Sequence, residues 1–467
     1  MAVRHLFIDD YEIERMERLR RVVNQPEKHP ANPVLGPDRP WENMASVYGT
    51  TLFDDVVGRF RMWYLVGCPS DGEFSDEATG TRHPLPQTTR VGYAESSDGV
   101  TWVKPELGQV EFRGSRANNL LALGRQNAEG ISVLVDAHEP DPARRYKALF
   151  WDHAADGAWV HPELQRVLWR ETEHDGAYLA WSADGIHWTH APYNPVIEAY
   201  MDTSQNLLWD PARQRYVAFS RFGFGRKVAR SESADFVNWT QPELVLECDE
   251  ADGPQTQFYG IAVEIYQGIY IGMVWVYREG TDGTIDTQLA SSRDGIHWER
   301  VGDRQTFIPL GSPGTWEDGM ARAAERVIAR GDRLFIYYGG VQGPHTGPRF
   351  PKVERTHRPA IGLAVLRRDG FVSLDAGDEE GYALTKAFAL PAGALHLNAN
   401  AAGGSVVAAL CSEGGEPLAG FEASRPVRGD KLDATVSWPG GAGPPVGQTV
   451  RLRLAARRAK LYAYWLE

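Results

Sequence analysis

The sequence is poor in several features that would indicate particular classes of protein. Its three cysteines, Cys68, Cys248 and Cys411, are odd in number and widely spaced, which excludes a disulfide scaffold and a Cys-x-x-Cys metal site. Basic residues number 49 against 62 acidic ones, and the net charge is −13. Because nucleic-acid binding depends on Lys and Arg that neutralise phosphates, we expect no nucleic-acid partner.

Long apolar runs are also lacking. The longest candidate, 261–277, is interrupted by Glu264, Gln267 and Gly268, and it predicts two strands around a turn rather than a membrane span. We therefore expect no membrane association. The first residues lack the charged-then-apolar order of a signal peptide, so we expect a cytoplasmic chain, or a secreted one from which a signal has been removed.

Motifs for metals and cofactors are missing as well. The 13 histidines are scattered, and there is no His-Glu-x-x-His, EF-hand, glycine-rich phosphate loop or Gly-x-Ser-x-Gly elbow. We therefore expect no metal site and no organic cofactor. Aspartate-rich turns leave a structural Ca²⁺ open without indicating one.

What the sequence does contain is a repeated aromatic hairpin. Asp-Gly is followed three residues later by tryptophan at 98–102, 184–188 and 294–298; the segment 235–239 keeps the aspartate and tryptophan, and 369–370 keeps only Asp-Gly. Asp-Gly between alternating segments favours a β-hairpin, because its backbone tolerates positive φ. The tryptophan that follows can cover the apolar face of the same sheet.

Two further strands precede each copy. The second of each pair is rich in aromatic residues and lies at 59–66, 145–151, 215–220, 269–277 and 333–339. Four antiparallel strands repeated five times predict an all-β chain with a five-bladed β-propeller, rather than a two-sheet sandwich with chance turns. After residue 372 small residues replace aromatics while strand-like runs continue. We predict a propeller domain at 1–372 and a C-terminal β-sandwich at 373–467.

In an antiparallel meander successive strands run in opposite directions, so alternate loops open on the same face of the ring. The starts of the first strands and the long loops after the second strands open on one face, and the Asp-Gly turns lie on the other. The hairpins are therefore interpreted as scaffold. Function is expected on the opposite face, because long loops at one end of a rigid ring commonly carry it.

Acidic and aromatic residues gather at the predicted starts of the first strands. Carboxylates accept hydrogen bonds from sugar hydroxyls and supply acid/base groups, and indoles stack on sugar rings. The candidates in these positions are Trp41, Glu42, Glu129, Asp202, Gln257, Tyr259, Trp316, Glu317 and Asp318.

Basic residues on the same face form a second group: Arg221, Arg278, His345 and Arg358. Two or more of them facing inward would favour an anionic substrate or phosphate. The alternative is that they bind carbonyl groups or the neighbouring acids.

The five units, their S-x-D-G-x-x-W hairpins and the appended β-domain resemble the five-bladed propeller glycoside hydrolases of families 32, 43, 117 and 130. The C-terminal segment is similar to the sandwich that follows the propeller in family 32. The resemblance implies three carboxylates on the inner strands of successive blades, with Glu42 in the first, Glu129 in the second and Asp202 in the third. It is architectural, because the family 32 string Asn-Asp-Pro-Asn-Gly is absent.

The function expected from these residues is that of a glycoside hydrolase acting on an oligosaccharide. Glycosidic cleavage needs one protonated carboxyl and one carboxylate across the sugar ring, and crowded acids push their pKa values apart. We predict Glu42 and Asp202 as the principal pair, Asp318 as a third carboxylate, and Glu317 and Glu129 in support. The sequence does not decide between retention and inversion.

Two alternatives of different class stay open. One is a phosphorylase or lyase on the same scaffold, and the other is a non-catalytic carbohydrate-binding propeller. Each acid also has a structural alternative. Glu42 and Glu317 both follow a tryptophan and would suit closure between the first and last blades, whereas Asp202 and Asp318 would suit turns.

Overall fold

The computed structural model describes residues 3–76, 79–124, 127–153, 155–161, 166–171, 175–345, 350, 354–440, 443 and 445–467. These residues form β-strands joined by turns, with three short 3-10 segments at Pro142–Arg144, Glu250–Asp252 and Gly302–Arg304. The predicted all-β class is therefore confirmed. None of the described helical segments has the length and apolar character needed to cross a membrane.

The beginning of the chain supplies strands to sheets built mainly from distant residues. These strands are β1 (His5–Leu6), β2 (Ile13–Glu17), β3 (Leu19–Val23) and β4 (Glu27–Lys28).

Five antiparallel units, which we call blades, follow in chain order. Blade 1 contains β5 (Met44–Asp54), β6 (Arg59–Cys68), the small hairpin β7 (Glu73–Ser75) and β8 (Arg82–Pro84), and β9 (Thr88–Ser96). Blade 2 contains β10 (Asn127–Val135), β11 (Tyr146–His153), the hairpin β12 (Ala155–His161) and β13 (Arg166–Glu171), β14 (Gly176–Ser182) and β15 (Thr189–His190). Blade 3 contains β16 (Asn206–Asp210), β17 (Arg215–Ser220), β18 (Val228–Ser233) and β19 (Glu243–Leu246).

Blades 4 and 5 are joined into one continuous sheet by a parallel bridge between Ile285 and Met320. Blade 4 contains β20 (Thr256–Tyr266), β21 (Ile269–Arg278), β22 (Ile285–Ser292), β23 (Glu299–Arg300) and β24 (Thr306–Ile308). Blade 5 contains β25 (Met320–Ala323), β26 (Ile328–Arg330), β27 (Arg333–Val341) and β28 (Ala360–Arg367). Its outermost strand is β4, which pairs with β28 in antiparallel register.

Polar side chains tie each blade to the one that follows it in the chain; three of them lie on the first strand of their blade, and Thr287 lies on β22. Each of these bonds joins a side chain of one blade to a backbone N–H of the following blade. The bonds are Thr50 Oγ1 to Val133 at 2.8 Å, Ser132 Oγ to Leu207 at 2.7 Å, Asn206 Oδ1 to Val263 at 3.0 Å and Thr287 Oγ1 to Ala323 at 3.1 Å.

Glu325 closes the ring at its centre. It lies between β25 and β26 of blade 5 and is 1% exposed. Its carboxylate accepts hydrogen bonds from Thr50 of blade 1 at 2.9 Å, from Ser132 of blade 2 at 2.5 Å and from Ser204 of blade 3 at 2.7 Å. The adjacent Arg326 donates to backbone carbonyls of blades 2 and 3. A single acidic residue therefore connects four blades.

The Asp-Gly hairpins also hold neighbouring blades together. In the four hairpins that end in tryptophan the aspartate accepts two backbone N–H groups, as Asp98 does from Val100 and Thr101 at 2.8 and 2.7 Å. Between blades, Trp63 Nε1 of blade 1 donates to the Gly185 carbonyl of blade 2 at 2.8 Å. These contacts agree with the interpretation of the repeated hairpin as scaffold.

The remaining strands build a second β unit: β29 (Val372–Ala376), β30 (Gly381–Thr385), β31 (Phe388–Ala389), β32 (Leu395–Cys411), β33 (Val427–Thr435), β34 (Thr449–Arg457) and β35 (Ala459–Leu466). The long strand β32 changes partners along its length, because its first part pairs with β33 and β35 and its last part with β34. Apolar residues of both parts enclose one core, which includes Leu397, Leu410, Leu454 and Leu461.

The domain boundary predicted between residues 372 and 373 stays a prediction. The first three strands of the chain, however, pair with strands of the C-terminal unit and not with blade 1. Strands β1, β2 and β3 pair with β35, β30 and β29 of the C-terminal unit. The predicted fifth hairpin at Asp369-Gly370 leads into β29 of that unit, while β4 completes blade 5. Asp369 is buried and accepts hydrogen bonds from Tyr266 and from Arg4, both at 2.7 Å, which link the two units.

Candidate active site

Side chains from blades 1, 3, 4 and 5 converge around Tyr259 near the start of β20. The Tyr259 carbonyl accepts hydrogen bonds from Arg221 Nη2 at 2.7 Å and Nε at 3.2 Å. Its ring lies 4.8 Å from the Arg221 guanidinium carbon and 5.2 Å from that of Arg226. Its hydroxyl lies 3.1 Å from His345 Nε2. Tyr259 is therefore the centre of a group of basic and aromatic side chains.

Arg322, on the short inner strand β25, is a buried arginine that was not among the candidates from the sequence. It is 7% exposed, and its Nη1 donates to the Tyr48 hydroxyl at 3.0 Å. Tyr48 stacks on Trp275 with 5.6 Å between ring centroids, and burial raises the pKa of its hydroxyl. Among the described residues, Arg322 Nε has no hydrogen-bond partner. The guanidinium thus rests on aromatic rings with one neutral hydroxyl bound to it.

Arg226 and Arg355 lie near Arg221 and Arg322. We call these four residues the arginine cluster. Arg226 Nη1 donates to Gln257 Oε1 at 2.7 Å, and Arg355 Nε donates to the Gln342 carbonyl at 2.7 Å. Burial, together with the charge of Arg322, lowers the pKa of Arg355. Within the described part of the chain, only Arg221 of these four has a carboxylate in ion-pair distance.

That carboxylate belongs to Asp202, which lies immediately before blade 3. One of its oxygens lies 3.5 Å from Arg221 Nη1, and its side chain is 40% exposed. Burial alone would lower the pKa of Arg221, but the Asp202 carboxylate and the neighbouring tyrosines raise it. Asp202 therefore combines a fixed cationic partner with access to solvent.

An exposed aromatic ring stands beside Asp202. Tyr200 is 48% exposed, and its ring packs edge-on against Trp151 with 5.1 Å between centroids. Its carbonyl accepts the Gly223 N–H at 2.9 Å, which joins it to the loop that follows Arg221. The same loop contains Phe224, whose side chain is also exposed.

The backbone next to Glu129 touches the backbone next to Asp202. Gly130 has φ +62°, and a Cβ at this position would lie 2.2 Å from the Thr203 carbonyl oxygen, so only glycine permits the approach. The N–H of Gln205 donates to the Gly130 carbonyl at 3.2 Å. Glu129 and Asp202 are the chain neighbours of these touching residues, so the contact brings their backbones to adjacent positions on blades 2 and 3.

His345 is held in its neutral form inside the cluster. Its ring lies 4.9 Å from that of Tyr259 and 5.0 Å from that of Tyr277. Burial, followed by the charges of the arginine cluster, lowers its pKa to about 3. Its Nδ1 has no hydrogen-bond partner among the described residues. The imidazole can therefore exchange hydrogen bonds with a ligand without carrying charge.

The structure places Glu42 and Trp41 in the wall of blade 1 instead. Glu42 is 1% exposed, and its carboxylate accepts hydrogen bonds from Tyr64 and Lys104, both at 2.6 Å. Trp41 Nε1 donates to Asn119 at 2.8 Å. Arg358 is exposed and donates to the Glu42 carbonyl at 3.2 Å. Both oxygens of Glu42 are thus occupied, with almost no surface left for a substrate.

The predicted residues near the start of blade 5 also have structural partners. Glu317 pairs with Lys28 of β4 at 3.0 Å, and Trp316 packs against Tyr338. Asp318 accepts the N–H groups of Gly314 and Gly343 at 2.6 and 2.7 Å, which joins two loops. In blade 4, Arg278 binds both oxygens of Asp286 at 2.9 Å.

Of the predicted candidates, the structure therefore brings together Asp202, Arg221, Gln257, Tyr259 and His345, with Glu129 on the adjacent strand. Sequence reasoning missed Tyr48, Tyr200, Arg226, Arg322 and Arg355. One signal was available, since Arg322 interrupts the apolar segment MARAA at 320–324. No group of three or more potential metal ligands occurs within the described residues.

No protein-family model matches this sequence, and no curated protein sequence matches it. Several solved structures are similar to it at low sequence identity. An N-acetylgalactosamine deacetylase from F. plautii, solved with blood group B trisaccharide, is 15% identical, with 76% of this chain and 97% of that chain covered and a TM-score of 0.47.

Two further similar structures come from enzymes named for their action on glycans. One is a structure from the GH130 family of mannoside phosphorylases, said to contain glycoside hydrolases that target β-1,2 mannosidic linkages in Candida mannan. It is 16% identical, with 78% and 96% of the two chains covered and a TM-score of 0.46. The other is an exo-inulinase from Aspergillus awamori, which is 14% identical, with 96% and 99% covered and a TM-score of 0.44.

Proposed function

We propose that this protein is a glycoside hydrolase that cleaves oligosaccharides at the face of the ring where Tyr200, Asp202 and Tyr259 lie, which we call the mouth of the ring. The observation that carries the proposal is Asp202, a carboxylate that is 40% exposed and fixed by Arg221 among buried tyrosines and arginines. Charged groups that are held at partly buried positions beside a specific charge partner are typical of catalytic sites.

Carbohydrate recognition is supported by the surroundings of Asp202. Exposed rings at Tyr200 and Phe224 offer faces on which a sugar can pack. Carboxylate, guanidinium and amide groups next to them supply both acceptors and donors for sugar hydroxyls. An oligosaccharide can therefore be held by stacking at the mouth and by hydrogen bonds below.

Asp202 and Glu129 are the proposed carboxylate pair. Glycosidic cleavage passes through an oxocarbenium-like transition state, in which one carboxyl protonates the leaving oxygen and a carboxylate acts on the opposite face of the sugar. Asp202 takes the carboxylate role, because a guanidinium beside an acid favours its ionised form. Glu129, which is half-buried on the adjacent strand, takes the acid role.

Asp202→Asn and Glu129→Gln test this assignment. Each should lower kcat for an oligosaccharide or aryl glycoside by about 100-fold or more, because general acid–base groups contribute that much. Asp235→Asn is the matched control, since Asp235 lies in a scaffold hairpin of the same blade as Asp202 and its side chain bonds to local backbone N–H groups. Full turnover by both site variants, with unchanged circular dichroism, would refute the assignment.

A glycoside phosphorylase is the second candidate. It is favoured by the arginine cluster, because Arg226, Arg322 and Arg355 have no carboxylate in ion-pair distance among the described residues and such guanidinium groups suit a phosphate ion. Assays with and without inorganic phosphate separate the two candidates. Hydrolysis predicts free reducing sugar in phosphate-free buffer, whereas phosphorolysis predicts a sugar 1-phosphate and turnover that requires phosphate.

A further inference from the structure

We infer that the arginine cluster binds an anionic group carried by the sugar itself, such as a uronic acid carboxylate or a sulfate ester. The substrate class is then an acidic oligosaccharide. This inference rests on the proposed function, because it assigns a substrate to the same site. Three observations on the described residues support it: Arg322 is buried without a carboxylate partner, positive groups outnumber negative ones in the cluster, and Arg221 and Arg322 lie below more exposed side chains.

Among the residues that the structure describes, Arg322 lacks the carboxylate partner that two other buried arginines have. Arg326 binds only backbone carbonyls in that part of the chain, but the charges of Glu264 and Glu325 act on it. Arg61 and Arg230 are also buried, and each pairs with a carboxylate, Asp54 at 3.0 Å and Glu232 at 2.6 Å respectively. Arg322 has only the Tyr48 hydroxyl, and its Nε is unpartnered among the described residues. Burying a charge without a counter-charge is costly, so an anionic ligand would stabilise this arrangement.

The charge balance of the site favours the same class of ligand. Four guanidinium groups are gathered there. Among the described carboxylates, Asp202 lies in ion-pair distance of Arg221, and Glu279 is linked to Arg226 only indirectly, through Gln257. His345 adds no charge, because its pKa lies at about 3. In a chain whose net charge is −13, this is a local positive field that attracts anions.

The depth of the groups indicates that the anion arrives attached to a sugar. Arg221 and Arg322 are buried, whereas Asp202 and Tyr200 are partly exposed above them. A sugar ring that packs on Tyr200 and presents its glycosidic bond to Asp202 would direct a substituent toward the arginines. A planar carboxylate or a sulfate can accept two N–H groups from one guanidinium.

Matched pairs of aryl glycosides test the inference. The pairs are glucuronide against glucoside and galacturonide against galactoside, each measured in phosphate-free buffer, with a sulfated galactoside as a further arm. We expect kcat/KM for the acidic member to exceed that for its neutral partner by about 100-fold, since a site built for a polar group rejects the analogue that lacks it. Equal kcat/KM for both members would overturn the inference while leaving the proposed function intact.

Arginine variants identify where the anion binds. Arg322→Gln and Arg226→Gln should each lower the ratio of acidic to neutral kcat/KM by about 10- to 100-fold, the value of a charge-assisted hydrogen bond. Arg213→Gln is the control, because Arg213 pairs with Asp210 at the opposite end of blade 3 and should leave the ratio unchanged. If Arg322→Gln fails to fold, the ratio measured for Arg226→Gln tests the assignment, because Arg226 is only half-buried. An unchanged ratio in the folded variants would refute the assignment.

Calorimetric binding to Asp202→Asn separates failure of the inference from failure of the proposed function. The probes are glucuronate, glucose and inorganic phosphate. Glucuronate binding without cleavage of any glycoside by the wild type would contradict the hydrolase and keep the acidic sugar as ligand. Phosphate that binds as tightly as glucuronate, together with phosphate-dependent cleavage, would overturn the inference in favour of free phosphate.

Discussion

Glu325→Ala removes the carboxylate on which three other blades converge, and we expect it to lower the free energy of unfolding by about 3–5 kcal/mol. That is the range for deleting one partner of a buried charged network. The hydroxyls of Thr50, Ser132 and Ser204 lose their common acceptor, and Arg326 loses the adjacent negative charge. Because whole domains are stable by about 5–15 kcal/mol, this is a large share of the total.

Glu325→Gln should cost less and should depend on pH in a defined direction. The amide keeps one acceptor oxygen, so we expect a loss of about 1–2 kcal/mol near neutral pH. Burial raises the pKa of Glu325 above its ordinary value of 4.5. The folded state therefore binds a proton more tightly than the unfolded state, and the wild type loses stability as pH rises above about 4.5. The cost of the glutamine is thus greatest at acidic pH and shrinks as pH increases.

Urea unfolding followed by tryptophan fluorescence at pH 5, 6, 7 and 8 measures both effects. Glu243→Ala is the control, since Glu243 is exposed on the outer strand β19 and should change stability by less than about 0.5 kcal/mol. A loss below about 1 kcal/mol for Glu325→Ala would refute the role in ring closure. A glutamine cost that grows with pH would refute the sign of the pKa argument.

Two further predictions concern residues away from the mouth. Glu42→Gln should change kcat/KM by less than about twofold but lower the urea midpoint of unfolding, because the Glu42 carboxylate is bound to Tyr64 and Lys104. Loss of turnover in a folded variant would show instead that Glu42 takes part in catalysis. The backbone N–H groups of Thr101 and Val100 lower the pKa of Asp98 to about 2, so its stabilising contribution is present above about pH 4 and lost as pH falls to 2. Asp98→Asn should therefore lose less stability than the wild type between those pH values, and an equal or larger loss would contradict this.

The repeated strands and turns could be predicted from the sequence alone, because the signals involved are local. In the four hairpins that end in tryptophan the aspartate accepts backbone N–H groups two and three residues ahead, as Asp184 does, so the turn is encoded within a few positions. The strands that precede the hairpins show their character in their own composition. The candidate face also followed from sequence, since strand direction in a meander fixes which loops open together.

Which charged groups are available at that face depends on contacts between distant parts of the chain. Glu42 and Glu317 looked equivalent to Asp202 in sequence, but Lys104 and Lys28 neutralise them within the wall. Likewise, β4 from the start of the chain completes blade 5, which the hairpin at 369–370 was expected to do.

The arginine cluster shows the same dependence on tertiary structure. Its members lie on blades 3 and 5 and become neighbours only when the ring closes around Glu325. Ion pairs and shared burial depend on distances between residues that are remote in the chain, whereas turns and strands depend on adjacent ones. That physical difference is why the scaffold could be predicted from the sequence, whereas the group of charged side chains at the proposed site could be predicted only in part.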